Sequence, residues 1–327
     1  MALLLGTNGI RATYDELNPA TALDLGFGFA NFIKKISLKK RPSIAIGQDM
    51  RLTSPALASA TIAGILEAGC DVYDFGLVPS PVAEWGRQRY FLDGLVIVTA
   101  SHNPPEWNAL KFVDNDGIAI SSERGEAICD FLNKPHPKLS YKEVGSVFDY
   151  SNKILEEYKN SVLKFVKQFE ISKLKVVVDV GNGTSTLILP SILKELGMEV
   201  IILNEKLDGT FPSRPSEPNE ENLKKLIETV KKTKADFGVG LDGDADRITF
   251  VDEKGCWIIG DKCLGICAWW LLEQKRKKIS IENKSILTTY ATSKVVEEIA
   301  SLFNVSTIYT DIGAPYLSEK IFQLKEK

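Results

Sequence analysis

The stretch Ser43–Gly76, SIAIGQDMRLTSPALASATIAGILEAGCDVYDFG, reads as an apolar strand, a polar loop, a helix, a glycine at the helix end and a second apolar strand. Two strands joined through a helix make a βαβ unit, whose strands run parallel. The same order returns in Leu174–Glu205, LKVVVDVGNGTSTLILPSILKELGMEVIILNE, with a Gly-Asn-Gly turn between strand and helix. It returns again in Ser285–Gly313, SILTTYATSKVVEEIASLFNVSTIYTDIG, where Asn304 takes the place of the helix-ending glycine. Three such units predict an α/β protein of three similar three-layer domains, with mostly parallel mixed sheets.

Working outward, the first unit continues through a helix around PVAEWGRQRYF to a strand, Gly94 to Thr99, and then to the loop of TASHNPPEWNALKF. The second continues through the helix EENLKKLIETVKKT to the strand DFGVGL and then to DGDADR. Both polar loops occupy the same slot, at carboxyl strand ends, where open α/β sheets bind ligands. A charged, proline-containing stretch, FLNKPHPKLSYKEVG, and the helix after it separate the first two units, and Lys254-Gly255 turns a strand before the third. The expected domains are residues 1–150, 151–255 and 256–327, the last expected to be the start of a third, incomplete domain, packed rigidly around a cleft.

Composition excludes several classes. The 327 residues carry a net charge of −3, with 44% apolar and 25% charged side chains, which points away from a nucleic-acid partner. No apolar run reaches the length of a membrane span and the start has no basic region of a signal peptide, so we expect a soluble protein with no membrane association. Five cysteines, Cys70, Cys129, Cys256, Cys263 and Cys267, show no paired CxxC, which fits a reducing cytoplasm. Cys263 and Cys267, four apart in KCLGICAWWLL, are expected on a buried helix face.

In DGDADR, Asp242, Asp244 and Asp246 alternate with small residues. Carboxylates this dense repel one another without a cation, and three hard oxygen donors suit Mg²⁺. An EF-hand would need glycine at its sixth position, where Arg247 stands, and a phosphatase using a DxD nucleophile would leave the serine loop without a task. Ser101 lies between a strand end and Pro104-Pro105, in a loop that the prolines stiffen. His102 is its neighbour, yet no G-x-S-x-G elbow or acid partner accompanies the pair, so acyl transfer is not indicated. A serine can instead carry a phosphoryl group, with a cation neutralising its oxygens and Arg247 supplying a fixed positive charge. The Gly181–Gly183 turn is no dinucleotide fingerprint, because Thr186 stands where the third glycine would be needed.

With these residues in place, the chain resembles the α-D-phosphohexomutases, the family of phosphomannomutase, phosphoglucomutase and phosphoglucosamine mutase. TASHNPPEWNALKF resembles the family's phosphoserine loop, which implies Ser101 as the phosphorylated residue and Lys111 as the acid/base lysine, with His102 assisting. DGDADR is similar to its Mg²⁺ loop, implying one Mg²⁺ per chain held by Asp242, Asp244, Asp246 and a phosphoserine oxygen of Ser101. LGTNGIRA resembles the amino-terminal motif and implies Arg11, with Arg247, as a phosphate-binding arginine. IGQDMRLTSP, GLVPSP and DGTFPSRPSEPNEENL are further matching segments. Ala12, Ala109 and Ala314-Pro315 depart from the pattern, and no counterpart of the third-domain sugar loop or of the fourth, phosphate-gripping domain is found before Lys327.

The resemblance implies interconversion of hexose 1-phosphate and 6-phosphate through a hexose bisphosphate. A phosphosugar-binding homologue without turnover and a metal-dependent phosphatase stay open beside it, as does the sugar: glucose, mannose or glucosamine.

Overall fold

The computed structural model describes residues 5–6, 9–120, 122–277 and 284–325. Thr7 and Asn8 of the amino-terminal motif lie outside them.

The first sheet holds β1 (Leu5–Gly6), β2 (Gly9–Thr13), β3 (Ser43–Gln48), β4 (Asp71–Leu77), β5 (Gly94–Val98), β6 (Trp107–Val113) and β7 (Val147–Asp149). Their spatial order is β1-β2-β6-β5-β3-β4-β7. β5, β3, β4 and β7 are mutually parallel, as the βαβ reading requires, while β6 returns antiparallel beside β5 and carries β2 and β1 with it. Helices α1 (Pro19–Ile36), α2 (Ser54–Glu67), α3 (Ser80–Arg89) and α4 (Ser122–Cys129) complete this unit, and α5 (Ser151–Val166), which follows the expected join at residue 150, packs against it.

α1 starts where Asn18 accepts hydrogen bonds from the amides of Ala20 and Thr21 and Pro19 presets the first turn. It crosses α2 closely, because a Cβ on Gly64 would sit 2.1 Å from the Leu23 carbonyl oxygen. Every residue of β5 is buried. Val96 and Val98 face the cluster with Leu25, Phe29, Ile33 and Leu57, while Leu95 and Ile97 face Phe75, Val82, Ala83 and Ile154. A strand covered on both sides explains why GLVIV is apolar throughout.

The second sheet runs β12-β11-β10-β8-β9, from β8 (Lys175–Asp179), β9 (Glu199–Leu203), β10 (Phe237–Leu241), β11 (Ile248–Asp252) and β12 (Trp257–Ile258). β8, β9 and β10 are parallel, and β11 turns back antiparallel on β10. Both polar loops are therefore hairpin connections between the last parallel strand and the first antiparallel one. α6 (Leu189–Glu195) and α7 (Lys224–Thr233) flank this sheet. Ile188 and Ile192, at and within α6, join the cluster of Phe75 and Val82 from the first unit, as does Ile154 of α5. Each such side chain contributes roughly 1.5–3 kcal/mol, against about 0.5–1.5 kcal/mol for a hydrogen bond. Apolar contact thus joins the two units beside the polar contacts between their loops.

The third unit has α8 (Gly260–Arg276), then β13 (Ser285–Thr289), α9 (Val295–Leu302) and parallel β14 (Ser306–Thr310), followed by α10 (Ala314–Lys325). The βαβ order is the one read from the sequence. The helix face carrying Cys263 and Cys267 is not buried as expected. Gly265, Ala268 and Leu272 form the buried stripe of α8, Cys263 is half-buried and Cys267 is exposed. At 3.6 residues per turn, Cys267 is rotated about 100° from Ala268, off the stripe that meets α9. No helix among the described residues is long and apolar enough to cross a membrane.

Candidate active site

The serine loop is assembled from below by a buried ion pair. Asp49 follows β3, and its carboxylate accepts from the Arg51 amide and Nε, at 3.0 Å each, from Ser54 Oγ at 2.6 Å and from Thr99 Oγ1 at 2.7 Å. Thr99 Oγ1 in turn accepts from the Ser101 amide at 3.0 Å. The guanidinium of Arg51, fully buried, donates from Nη1 to the carbonyls of Pro104 and Trp107 and from Nη2 to those of Ser101 and Asn103, at 2.6 to 3.0 Å. Ser101 can thereby hold φ +51°, a left-handed conformation that disfavours a non-glycine residue.

The aspartate loop has a matching support. Arg214 Nε pairs with Asp179 at the end of β8, at 3.1 Å, and its Nη2 donates to the carbonyl of Leu241 at 2.6 Å, the residue before Asp242. Thr184 donates from its amide and hydroxyl to the Gly243 carbonyl, at 2.8 and 3.1 Å. The two loops then meet across the domain boundary. Ser101 Oγ lies 2.5 Å from Asp242 Oδ2 and 3.1 Å from Asp246 Oδ1. Lys111, on β6, donates to Asp244 and Asp246 at 2.8 Å each. Ser80, the first residue of α3, donates its hydroxyl to Asp244 Oδ2 at 2.6 Å and its amide to the Asp244 carbonyl at 2.8 Å. The positive end of that helix thus faces the acidic loop.

Electrostatics follow from the packing. Burial, reinforced by Asp244 and Asp246, pushes the Asp242 carboxyl well above the usual carboxylate range. Burial works the same way on Asp244, but the Lys111 ammonium overrides it and holds this carboxyl at about 2. Burial would lower Lys111; its two aspartates outweigh that and raise it, so it stays protonated. One oxygen of each of Asp242, Asp244 and Asp246 falls within 4.8 Å of the others. Asp244 Oδ1 is buried and has no hydrogen-bond partner among the described residues. An orphaned carboxylate oxygen inside an all-oxygen cluster is a fit for a hard cation such as Mg²⁺.

The other expected residues surround this point. His102 Nδ1 is 3.4 Å from Ser101 Oγ, and its Nε2 is 4.0 Å from Glu217 Oε2. Burial, and then the charge of Arg247, lower the imidazole below its ordinary value, leaving it neutral at pH 7. Arg247 is ion-paired with Glu217. Arg11, on β2 opposite Ala109 of β6, donates to Asn103 Oδ1 at 2.6 Å. A cleft of about 410 Å³ opens beside the loop, lined by His102, Pro104, Phe211 and Ser213 among others.

Arg51, Ser80, Arg214, Ser216 and Glu217 are among the contributors that received no role in the sequence reading. All lie in segments matched to the family, IGQDMRLTSP, GLVPSP and DGTFPSRPSEPNEENL. The available signal was the Asp49-x-Arg51 spacing at a strand end, where a buried pair can reach a neighbouring loop.

This arrangement, a serine loop closing on a three-aspartate loop from the next α/β domain, defines a class of enzyme. The chain belongs to the phosphoglucomutase/phosphomannomutase family: models of its α/β/α domains I, II and III match residues 2–138, 150–255 and 259–325. It is accordingly an enzyme of the phosphohexomutase type. It is 37% identical over 318 residues to a phosphoglucomutase/phosphomannomutase of Thermococcus kodakarensis, covering 96% of this chain and 68% of the relative. It is 32% identical to a phosphoglucosamine/phosphogalactosamine mutase of Sulfurisphaera tokodaii, covering 98% and 70%. A crystal structure of a phosphoglucomutase/phosphomannomutase family protein from Burkholderia thailandensis matches with a TM-score of 0.83 at 25% identity, over 97% of this chain and 68% of that one.

Proposed function

We propose that the chain is a Mg²⁺-dependent phosphohexomutase that moves a phosphoryl group between Ser101 and a hexose phosphate, converting 1-phosphate and 6-phosphate through a hexose bisphosphate. The observation that carries this reading is the 2.5 Å approach of Ser101 Oγ to Asp242 Oδ2 across two domains. In this reading residues 1–150 bear the carrier, 151–255 the metal loop and 256–327 a third α/β unit. Free cysteines at the five positions fit work in a reducing cytoplasm.

Asp242, Asp244, Asp246 and an oxygen of phosphorylated Ser101 would hold the ion, which when bound neutralises phosphoryl oxygens and polarises phosphorus. In the first half-reaction the Oγ–P bond of phospho-Ser101 breaks while a sugar hydroxyl oxygen bonds to phosphorus. That hydroxyl proton is relayed through the Lys111 ammonium, which gives one of its own protons toward the departing Ser101 Oγ as it takes up the hydroxyl's, so that Lys111 begins and ends the step protonated. In the second half-reaction the other phosphoryl group of the bisphosphate returns to Oγ, and the sugar oxygen it leaves takes a proton from Lys111 Nζ. The Ser101 proton passes to neutral His102 as Oγ takes up the phosphoryl group, and His102 hands it on to replace the one Lys111 has given, so both groups return to their starting forms. Arg11 and Arg247 brace phosphate oxygens, Arg247 exchanging Glu217 for the substrate.

The test is a mutase assay primed with hexose bisphosphate, combined with intact-mass analysis of Ser101. Isomerisation with a phosphoryl group on Ser101, both abolished by Ser101→Ala, is expected. Release of inorganic phosphate without isomerisation would make the chain a phosphatase, and binding without turnover a phosphosugar-binding protein.

A further inference from the structure

Ser216 stands in the loop between β9 and α7, 3% exposed. Its hydroxyl donates to the Ser101 carbonyl oxygen at 3.1 Å and accepts from the Gly243 amide at 2.9 Å. One oxygen therefore joins the backbone of the serine loop to the backbone of the aspartate loop. The Ser101 carbonyl is held from both sides, by Ser216 of the second unit and by Arg51 Nη2 of its own unit at 2.9 Å. The loops come close enough that a Cβ on Gly243 would lie 3.1 Å from that same carbonyl and 3.0 Å from the Phe211 ring.

These contacts fix where Oγ can stand. Ser101 and Asp242 stand on loops of different units, so neither loop alone sets the distance between Oγ and the carboxylate. We propose that Ser216 is a positioning residue for phosphoryl transfer: it registers the carrier serine against the metal-holding loop without touching the substrate. The proposal rests on the reading of Ser101 as the phosphoryl carrier. Losing the hydroxyl leaves the Gly243 amide and one lone pair of the Ser101 carbonyl unmet, and lets the loops drift by a fraction of an ångström. A misplacement of about 1 Å costs on the order of 100-fold in rate.

The experiment compares wild type, Ser216→Ala, Ser216→Thr and Gly243→Ala. It measures kcat and KM with hexose phosphate, the rate at which label leaves Ser101 for the sugar phosphate, and the melting temperature. Ser216→Ala should slow label transfer and kcat about 10- to 100-fold with KM unchanged. Ser216→Thr, which keeps the hydroxyl, should recover most of the rate. Gly243→Ala, which forces the loops apart with Ser216 intact, should reproduce the Ala defect. Wild-type transfer in Ser216→Ala, or equal defects in the Ala and Thr variants, would overturn the positioning role while leaving the carrier reading intact. Wild-type protein that takes no label on Ser101 would overturn the carrier reading and this proposal with it.

Discussion

Lys111 Nζ stands 2.8 Å from Asp244 Oδ2, a lysine of the first sheet bonded to an aspartate of the loop that leaves the second. A second contact of 2.8 Å ties it to Asp246. The ammonium offsets part of the charge that the aspartate loop concentrates, and it raises its own proton affinity by doing so. The residue assigned to proton transfer is thus also an electrostatic support for the metal loop.

Lys111→Met should destabilise the metal-free chain at pH 7 by about 3 kcal/mol, because it leaves buried Asp244 charged and unpaired. Asp244 has its folded value lowered to about 2 from 3.8. Its stabilisation is therefore full above the unfolded value and is lost as pH falls through the folded one. The melting-temperature gap between wild type and variant should close between about pH 4 and pH 2, and saturating Mg²⁺ at pH 7 should narrow it. A gap that persists unchanged at the acid end would mean that the Lys111–Asp244 pair is not its origin.

Asp246→Asn should weaken Mg²⁺ binding by about tenfold or more, with stability changed by no more than about 0.5 kcal/mol. Asp246 is the outermost of the three, its side chain 35% exposed, whereas Asp244 is bound to Ser80 and Lys111 and cannot be changed without disturbing both. Titration calorimetry with Mg²⁺ alone reads the affinity and thermal melting the stability. Unchanged affinity would place the ion elsewhere.

Arg51→Ala should cost about 3–5 kcal/mol, since it strands the buried Asp49 carboxylate and removes the donor shared by four loop carbonyls. Hydrogen exchange should show loss of protection at Ser101 and Asn103, whose amides bond within this loop. Retained protection with retained stability would show that the prolines alone hold the loop.

The βαβ repeats were legible because each element announces itself locally, through apolar runs, helical periodicity and a glycine at the helix end. The two reactive loops were legible because their chemistry is contiguous: Asp242, Asp244 and Asp246 within one turn, Ser101 and His102 side by side. What stayed hidden depends on distant partners. Arg51 is separated by 50 residues from Ser101, and Ser216 by 115, so nothing local distinguishes them from ordinary loop residues. Apolar periodicity likewise shows that α8 can bury a face but not how wide a stripe its neighbour covers, which is why Cys267 was misplaced.

The last prediction concerns the acid limb of the pH profile. His102 acts here as a proton acceptor, so activity should rise with pH as its imidazole becomes neutral. Burial and the neighbouring Arg247 lower its value below 6.5, and Glu217 works against them. The wild-type acid limb should therefore lie below pH 6.5. Arg247→Gln removes a cation that disfavours protonation and frees Glu217, which stabilises the imidazolium. Both changes act in the same direction, raising His102, so the acid limb should move to higher pH. A shift of one unit corresponds to about 1.4 kcal/mol between the two protonation states. kcat measured across pH 5 to 8 in the two proteins checks the sign: a limb that stays put, while His102→Gln abolishes it, would show that Arg247 does not set the imidazole, and a limb that survives His102→Gln would assign the titration to another group.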